Sequence, residues 1–394
     1  MKLVVVSHKL CWPSRRSPTG YATDGGFPFQ LEAISELFDG TSVVVPSEVE
    51  AAEGLAPIKG RGIKIVALSI PGGTGLERKL KFPLWCLKNG RVIWRAVGES
   101  DAVHVPIPGD VGTIGMLFAL AQRKPLFVRH CGNWFVQRTW AERFWKWCME
   151  HFAGGRNVML ATGGAREAPS QRNKNIKWIF STSLRREQLQ KDVPRSLPSD
   201  GKLRIAIVCR QELRKGTDVV INSMPLIRKV FPEASLDVAG DGSQLGKFKE
   251  LANRLALGTA IRFHGRLDQK SVLELLERSH VFCFPTSASE GFPKAVLEAL
   301  ATGLPVVATP VSALPELLRP GGGVLIREPD ACALADAIRI ICSNASDYTE
   351  MSVRAMETAR QYSLEDWQKQ IGDELRLSWG VSSLTESASP EFVV

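Results

Sequence analysis

Two carboxylates eight residues apart, Glu290 and Glu298, bracket the start of a short helix in TSASEGFPKAVLEALATGLPVVATP (286–310). Pro293 suits the first helical turn and Gly303 the position just past the end, with Pro293, Val296, Leu297 and Leu300 turned toward a core. Lys294 and Glu298 share the other face at i and i+4, the spacing of a plain surface pair. A helix N-terminus presents amides without intrahelical partners and favours phosphate or another anion. A loop carboxylate before it and a second one turn inside it could grip neutral hydroxyls beside that phosphate, and sugar hydroxyls are the obvious donors. Upstream, VCRQELRKG (208–216) sets Arg210 and Lys215 at the mouth of a strand, two cations suited to a diphosphate. VAGDGSQLG (238–246) closes the next strand with Gly240 and Gly242, residues that let backbone approach a ligand, and IRFHGR (261–266) closes the one after. Four consecutive strand ends thus carry polar or glycine-rich loops, which fits a nucleotide seated across one edge of a sheet.

The elements that must position these groups alternate. KLVVV (2–6), SVVVP (42–46), IKIVAL (63–68), AVHVP (102–106), PLFVRH (125–130), NVMLAT (157–162) and IKWIF (176–180) read as short strands with helix-like stretches between several of them. The segment 186–202, polar with two prolines and an Asp-Gly, reads as a linker. The alternation then restarts with LRIAIVC (203–209), SLDVAG (235–240), IRFHG (261–265), HVFCFP (280–285), PVVAT (305–309) and GGVLI (322–326). The expected α/β fold is two doubly wound, Rossmann-like domains, 1–185 and 203–362, with a cleft between them. Residues 363–380 read as a further helix with Trp367, Ile371, Leu375 and Ser378 on one side, and 381–394 as a flexible tail.

Residues 203–330 resemble the nucleotide-sugar domain of the GT-B glycosyltransferases of family four. The likeness rests on the spaced Arg210 and Lys215, the GDG turn (240–242), the FHG strand end, the E-x7-E signature from Glu290 to Glu298 and the trailing EALATGLPVVAT. It implies a GT-B fold in which the final helix crosses back to the first domain. Arg210 and Lys215 would hold the donor diphosphate, and Glu290 would contact the sugar. Amides around Gly291, Phe292, Pro293, Lys294 and Ala295 would meet sugar and phosphate, and Glu298 the ribose. Backbone from Phe263 through Gly265 to Arg266 would meet the base. In the first half, Gly25 and Gly26 would stand for the family's glycine-rich loop. His130, at the end of PLFVRH with Arg129 and Asn133 beside it, would be the histidine near the reacting sugar; His104 reads as core. The resemblance further implies transfer with retention from a nucleotide diphosphate sugar, UDP- or GDP-linked, with no cofactor. No D-x-D occurs in the chain, which fits transfer without a metal ion.

Charge and composition bound the partners. The net charge of +9 sits in the first half: residues 1–200 hold 28 Lys+Arg against 17 Asp+Glu. That half is expected to face an anionic partner or surface. No nucleic-acid-binding motif accompanies it, so nucleic acid is not expected. NWFVQRTWAERFWKWCMEHFAGGR (133–156) and RKLKFPLWCLKNGRVIWR (78–95) interleave aromatic and basic residues, which suits a membrane interface. The stripe at 140, 144, 148 and 152 equally suits a core. With no apolar run of bilayer-spanning length, the expected place is the cytoplasm, peripheral to a membrane face, with a sugar, lipid-linked or small-molecule acceptor. Eight cysteines without framework spacing read as buried reduced thiols. A sugar-nucleotide epimerase of the same architecture and a non-enzymatic nucleotide-sugar binder are the alternatives. GDGSQLG also matches a dinucleotide fingerprint loosely, but its G-x-G-x-x-x-G spacing and the FHG ending of the next strand count against that.

Overall fold

The computed structural model describes residues 1–50, 56–73, 75–164, 167–288 and 290–380; the expected tail, 381–394, lies outside them. The chain forms two compact units, one of residues 1–183 together with the segment from Leu364, the other of Leu184–Ser363.

In the first unit, β1 (Lys2–Val6) is followed by β2 (Trp12–Pro13), β3 (Tyr21–Thr23), α1 (Phe27–Ser35), β4 (Gly40–Pro46), β5 (Ala56–Pro57), β6 (Ile63–Leu68) and α2 (Gly75–Gly98). Then come β7 (Ala102–Ile107), α3 (Asp110–Ala121), β8 (Leu126–His130), α4 (Trp140–Phe152), β9 (Asn157–Thr162) and β10 (Ile176–Ile179). Seven strands pair in the order β10-β9-β8-β7-β1-β4-β6, all parallel. β-branched runs such as Val4–Val6 and Val43–Val45 are buried on both faces, as a covered parallel sheet requires. Helices α2, α3 and α4 cover one face, packing Trp85, Ile93, Met116, Cys148 and Met149 onto the strands.

In the second unit, β11 (Arg204–Val208), α5 (Thr217–Val230), β12 (Ser235–Ala239), α6 (Leu245–Arg254), β13 (Ile261–Gly265), α7 (Gln269–Arg278) and β14 (Val281–Phe284) lead to α8 (Lys294–Ala301). β15 (Val306–Ala308), α9 (Leu314–Leu318), β16 (Gly323–Leu325), α10 (Ala331–Ile341) and α11 (Ala345–Ala359) complete it. The parallel strand order is β13-β12-β11-β14-β15-β16. Each expected strand occurs within two residues of its expected ends. The stretch 186–202 is fastened to this unit: the half-buried Arg195 guanidinium donates to Thr302 O (2.7 Å), Ser279 O (3.1 Å) and Leu276 O (3.2 Å), satisfying helix-end carbonyls of α7 and α8.

The last helix, α12 (Leu364–Trp379), belongs to the first unit, on the sheet face that α1 also covers. Trp367, Ile371 and Leu375, one turn apart, are fully buried, each contributing roughly 2 kcal/mol of apolar burial. Gln368 Nε2 donates to Ala33 O (2.7 Å), and Lys177 pairs with Glu374 (2.7 Å).

Candidate functional site

The order of the second sheet reverses between β11 and β14, the one position where connections leave in opposite directions and open a crevice at the carboxyl ends. Arg210 and Lys215 follow β11; Glu290 follows β14. Lys215 Nζ and Glu290 Oε1 form an ion pair across that position, both side chains largely buried (13 and 15% exposed). Arg210 stands exposed at the mouth of β11.

The two loops are built as one piece. Arg214 takes a left-handed conformation (φ 70°), and its carbonyl accepts from Ser287 N (2.9 Å), Ala288 N (3.0 Å) and Thr286 Oγ1 (3.0 Å). Gln211, fully buried, donates from Nε2 to Cys209 O (2.9 Å) and Ala239 O (3.1 Å), accepts from Thr217 Oγ1 (2.9 Å), and so ties the ends of β11 and β12 together. Glu212 accepts from Ser243 N (3.0 Å) and Oγ (2.7 Å), bonds that hold its carboxyl below the usual carboxylate range. Gln211, Arg214 and Thr217 were not expected. Their types carry no site signal, and only the adjacency of β11, β12 and β14 gives them work.

Gly240 and Gly242 stand against the backbone that follows β11. Gly240 has φ +115°, and a Cβ there would lie 1.9 Å from Cys209 O; at Gly242 it would lie 2.4 Å from Gln211 O. Both glycines let neighbouring strand-end backbones approach each other, so the space they clear is filled by protein. Beyond β13, Gly265 O accepts from Gly240 N (2.7 Å), Phe263 lies under Lys249 (6.0 Å) and Arg266 is exposed. His264 Nε2 and Asp237 Oδ1 are 2.7 Å apart.

Helix α8 starts at Lys294, with Pro293 (φ −80°, ψ 88°) as its N-cap, one position earlier than expected, because its ψ is not helical. As a proline, the N-cap residue makes no side-chain hydrogen bond to the first turn. Phe292, Pro293, Val296, Leu297 and Leu300 are buried, while Gly291, Lys294, Ala295 and Glu298 are half-buried. Ser312 Oγ donates to Gly291 O (2.5 Å) and fixes the approach to the helix.

In the first unit, His130 ends β8, buried, its ring edge-on to Trp134 at 5.3 Å. Burial depresses its pKa to about 4 despite hydrogen bonding at Gly132 and the charge of Glu142, so the ring is neutral at pH 7. Its Nδ1 has no hydrogen-bond partner among the described residues. Arg129 beside it is 3% exposed; its Nε and Nη1 have no hydrogen-bond partner among the described residues, and its guanidinium lies over the Trp367 ring at 4.9 Å. Asn133 is a turn former: its Oδ1 accepts from Phe135 N (2.8 Å) and Val136 N (3.2 Å). His104 is core, bonded to Phe127 O (3.0 Å) and stacked on that ring, with burial lowering its pKa to about 3. Gly25 (φ +66°) and Gly26, the N-cap of α1, do lead into a helix. However, β2 and β3 intervene between them and β1, because the chain first builds a small antiparallel ladder closed by the Lys9–Asp24 pair.

Two sequence expectations fail on exposure. The stripe at 140, 144, 148 and 152 is not a core stripe along its whole length: Cys148 is buried, but Trp140 is 84% and Phe144 40% exposed. Of the eight thiols, all free, Cys131 and Cys332 are exposed. Among the described residues no helix is long and apolar enough to cross a membrane, and no group of three or more His, Cys, Asp or Glu could hold a metal ion.

Residues 190–362 match the family model "Glycosyl transferases group 1". Among curated proteins, the chain is 31% identical over 134 residues to a component of phosphatidylinositol N-acetylglucosaminyltransferase from Homo sapiens, covering 34% of this chain and 27% of that protein. It is 30% identical over 172 residues to phosphatidyl-myo-inositol mannosyltransferase of Mycobacterium leprae, covering 43% and 44%. The matched region spans less than half the length of these relatives. Among solved structures, Anabaena HepE in complex with UDP-glucose superposes with a TM-score of 0.69 at 17% identity, covering 96% of this chain and all of that one. WaaG, a glycosyltransferase involved in lipopolysaccharide biosynthesis, gives 0.63 at 13%, covering 95% and 99%. The fold is that of the GT-B glycosyltransferases.

Proposed function

We propose, on the premise that residues 190–362 are a group 1 glycosyltransferase domain, that this chain transfers a sugar from a nucleotide diphosphate sugar to an acceptor hydroxyl. Transfer proceeds with retention, without a metal ion and without a cofactor. The observation that carries the reading is the Lys215–Glu290 ion pair at the reversal point of the second sheet, with Arg210 exposed beside it. A mostly buried cation and carboxylate that neutralise each other are poised to exchange partners. An arriving diphosphate takes Lys215 and Arg210, and Glu290 turns to the sugar hydroxyls. Glu298, one turn into α8, takes the ribose.

In the reacting complex the bond from the anomeric carbon to the diphosphate oxygen breaks, and one to the acceptor oxygen forms on the same face. The acceptor proton passes to the departing phosphate oxygen. Charge grows on that phosphate, so Arg210, Lys215 and the first amides of α8 stabilise the transition state more than the ground state. In the first unit, neutral His130 offers a ring nitrogen to a substrate hydroxyl. The acceptor is a lipid-linked or polysaccharide-precursor hydroxyl at the cytoplasmic face of a membrane, a choice supported by relatives named for phosphatidylinositol substrates.

Thermal-shift measurements with UDP, GDP, ADP and TDP test the donor site first, since a bound nucleotide raises the melting temperature through linkage. One of the four, UDP or GDP, is expected to stabilise the chain, and Glu290→Ala to abolish nucleotide release in the presence of acceptor. If none of the four shifts the melting temperature, the reading fails.

A further inference from the structure

Helix α2 carries two apolar faces. Its inward side takes Trp85, Asn89, Ile93 and Val97, all buried, as the 3.6-residue period of a sheet-covering helix dictates. On the opposite side Leu80, Leu84 and Leu87, at i, i+4 and i+7, are 79, 68 and 80% exposed. Helix α4 repeats the pattern. Cys148 and Met149 face the core, while Trp140, Phe144 and Trp147, at the same spacing, are 84, 40 and 51% exposed. Helix α3 bridges the two: Trp94 packs edge-on against Phe118 (5.0 Å), and Trp145 Nε1 donates to Thr113 Oγ1 (2.7 Å). The three helices are one layer on one face of the first sheet. More than half of the large exposed apolar side chains among the described residues lie in the span 80–147. Exposed apolar side chains gathered on one helical layer mark an interaction surface.

Its charge selects the partner. Lys81, Lys88 and Arg95 directly follow Leu80, Leu87 and Trp94 at seven-residue intervals, so a row of cations flanks the apolar row of α2. Lys81 and Arg95 are spanned within the helix by Glu77 and Glu99. Lys88, Arg91, Arg138 and Arg143 have no carboxylate at ion-pair distance among the described residues, and Arg143 lies over the exposed Trp140 ring at 5.3 Å. A second copy of this face would set cations against cations.

We propose that the outer layer of α2, α3 and α4 docks on an anionic lipid surface, with Leu80, Leu84, Leu87, Trp140 and Trp147 in the acyl boundary and the cations on headgroup phosphates. Tryptophan and long cationic side chains at one depth suit that interface, and anionic leaflets attract basic patches. This deepens the membrane-acceptor reading above and rests on it for the purpose of docking, though not for the docking itself.

The test uses the full chain with phosphatidylcholine vesicles and with vesicles that also contain phosphatidylglycerol. Sedimentation with the anionic vesicles, falling with salt, is expected. Leu84→Ser with Leu87→Ser, and separately Trp140→Ser with Trp147→Ser, should each weaken partitioning by on the order of a hundredfold. Lys88→Gln with Arg91→Gln should weaken it roughly tenfold and flatten the salt dependence. Every variant should keep the melting shift given by whichever nucleotide stabilises the parent, which shows that it is folded. Absence of binding to the anionic vesicles at low salt overturns the proposal. So do variants that bind as the parent does, or a dimer in sedimentation velocity that the leucine variant dissolves. Vesicle binding without any nucleotide shift sinks the transferase reading and leaves the surface standing.

Discussion

The two sheets reverse their strand order in the same way and fill the neighbourhood of that reversal with opposite chemistry. In the second unit the loops after β11 and β14 hold a cation and a carboxylate, Lys215 and Glu290, against each other. In the first unit the end of β8, two strands from β1, holds a desolvated neutral imidazole, His130, and an unpaired guanidinium, Arg129. A site that meets a diphosphate needs mobile, exchangeable charge, and an internal ion pair stores it without leaving either partner unsatisfied. A site that meets only hydroxyls is better served by a neutral ring whose hydrogen-bonding nitrogen is not already spent. The same topology supports both, because the loops beyond the strands, not the strands, carry the chemistry.

The contrast breaks first at Lys215. Lys215→Ala removes the cation proposed to meet the departing diphosphate and strands Glu290, so nucleotide release should fall on the order of a thousandfold, or about 4 kcal/mol. If Glu290→Ala and the double variant fall no further than Lys215→Ala, the two act as one unit; additive losses would separate them. Next comes the packing that holds the charged loops. Gly240→Ala forces a Cβ onto Cys209 O from a left-handed backbone, and chemical denaturation should show a loss of about 3 kcal/mol or more.

The neutral side is tested by pH. The pKa of His130 is about 4 folded against 6.5 unfolded, so below pH 6.5 the unfolded chain takes up a proton that the folded chain refuses. Its contribution is fully present above pH 6.5 and is lost as pH falls toward 4, a loss of about 3 kcal/mol across that window. His130→Gln should flatten the acid limb of melting temperature against pH; an unchanged limb would assign it to His8, His104 and His280, which burial depresses in the same direction. The smallest effect belongs to Arg129. Arg129→Met removes an unpaired buried charge and keeps the packing under Trp367, so stability should hold or rise by about 1 kcal/mol in calorimetry. A rise accompanied by lost turnover would place Arg129 in function; a fall in stability would mean that its charge has a partner.

Strand ends were legible throughout, because β-branched runs bounded by Gly, Pro and Asp leave little choice of element. So were the core face of α8, Gly303 as its terminator and the structural role of His104. The functional side of the same residues was less so. Gly240 reads from composition as a ligand-facing glycine, yet its neighbour is the carbonyl of Cys209, thirty-one positions upstream. The stripe of α4 has the period of a core face from end to end. Only the placement of α3 beside it shows that its inner residues meet protein and Trp140 and Phe144 meet solvent.

What the sequence determined by itself is the alternation of elements and the inventory of charged groups at four strand ends, since both depend on local period and residue type. Tertiary structure decided which of those groups meet. Lys215 and Glu290 lie 75 positions apart and pair because β11 and β14 are neighbours at the reversal of the sheet. Trp367 reaches Arg129 because α12 packs on the unit it left some 180 residues earlier. Contacts of that range are set by sheet order and the burial of whole faces, quantities that no local pattern encodes.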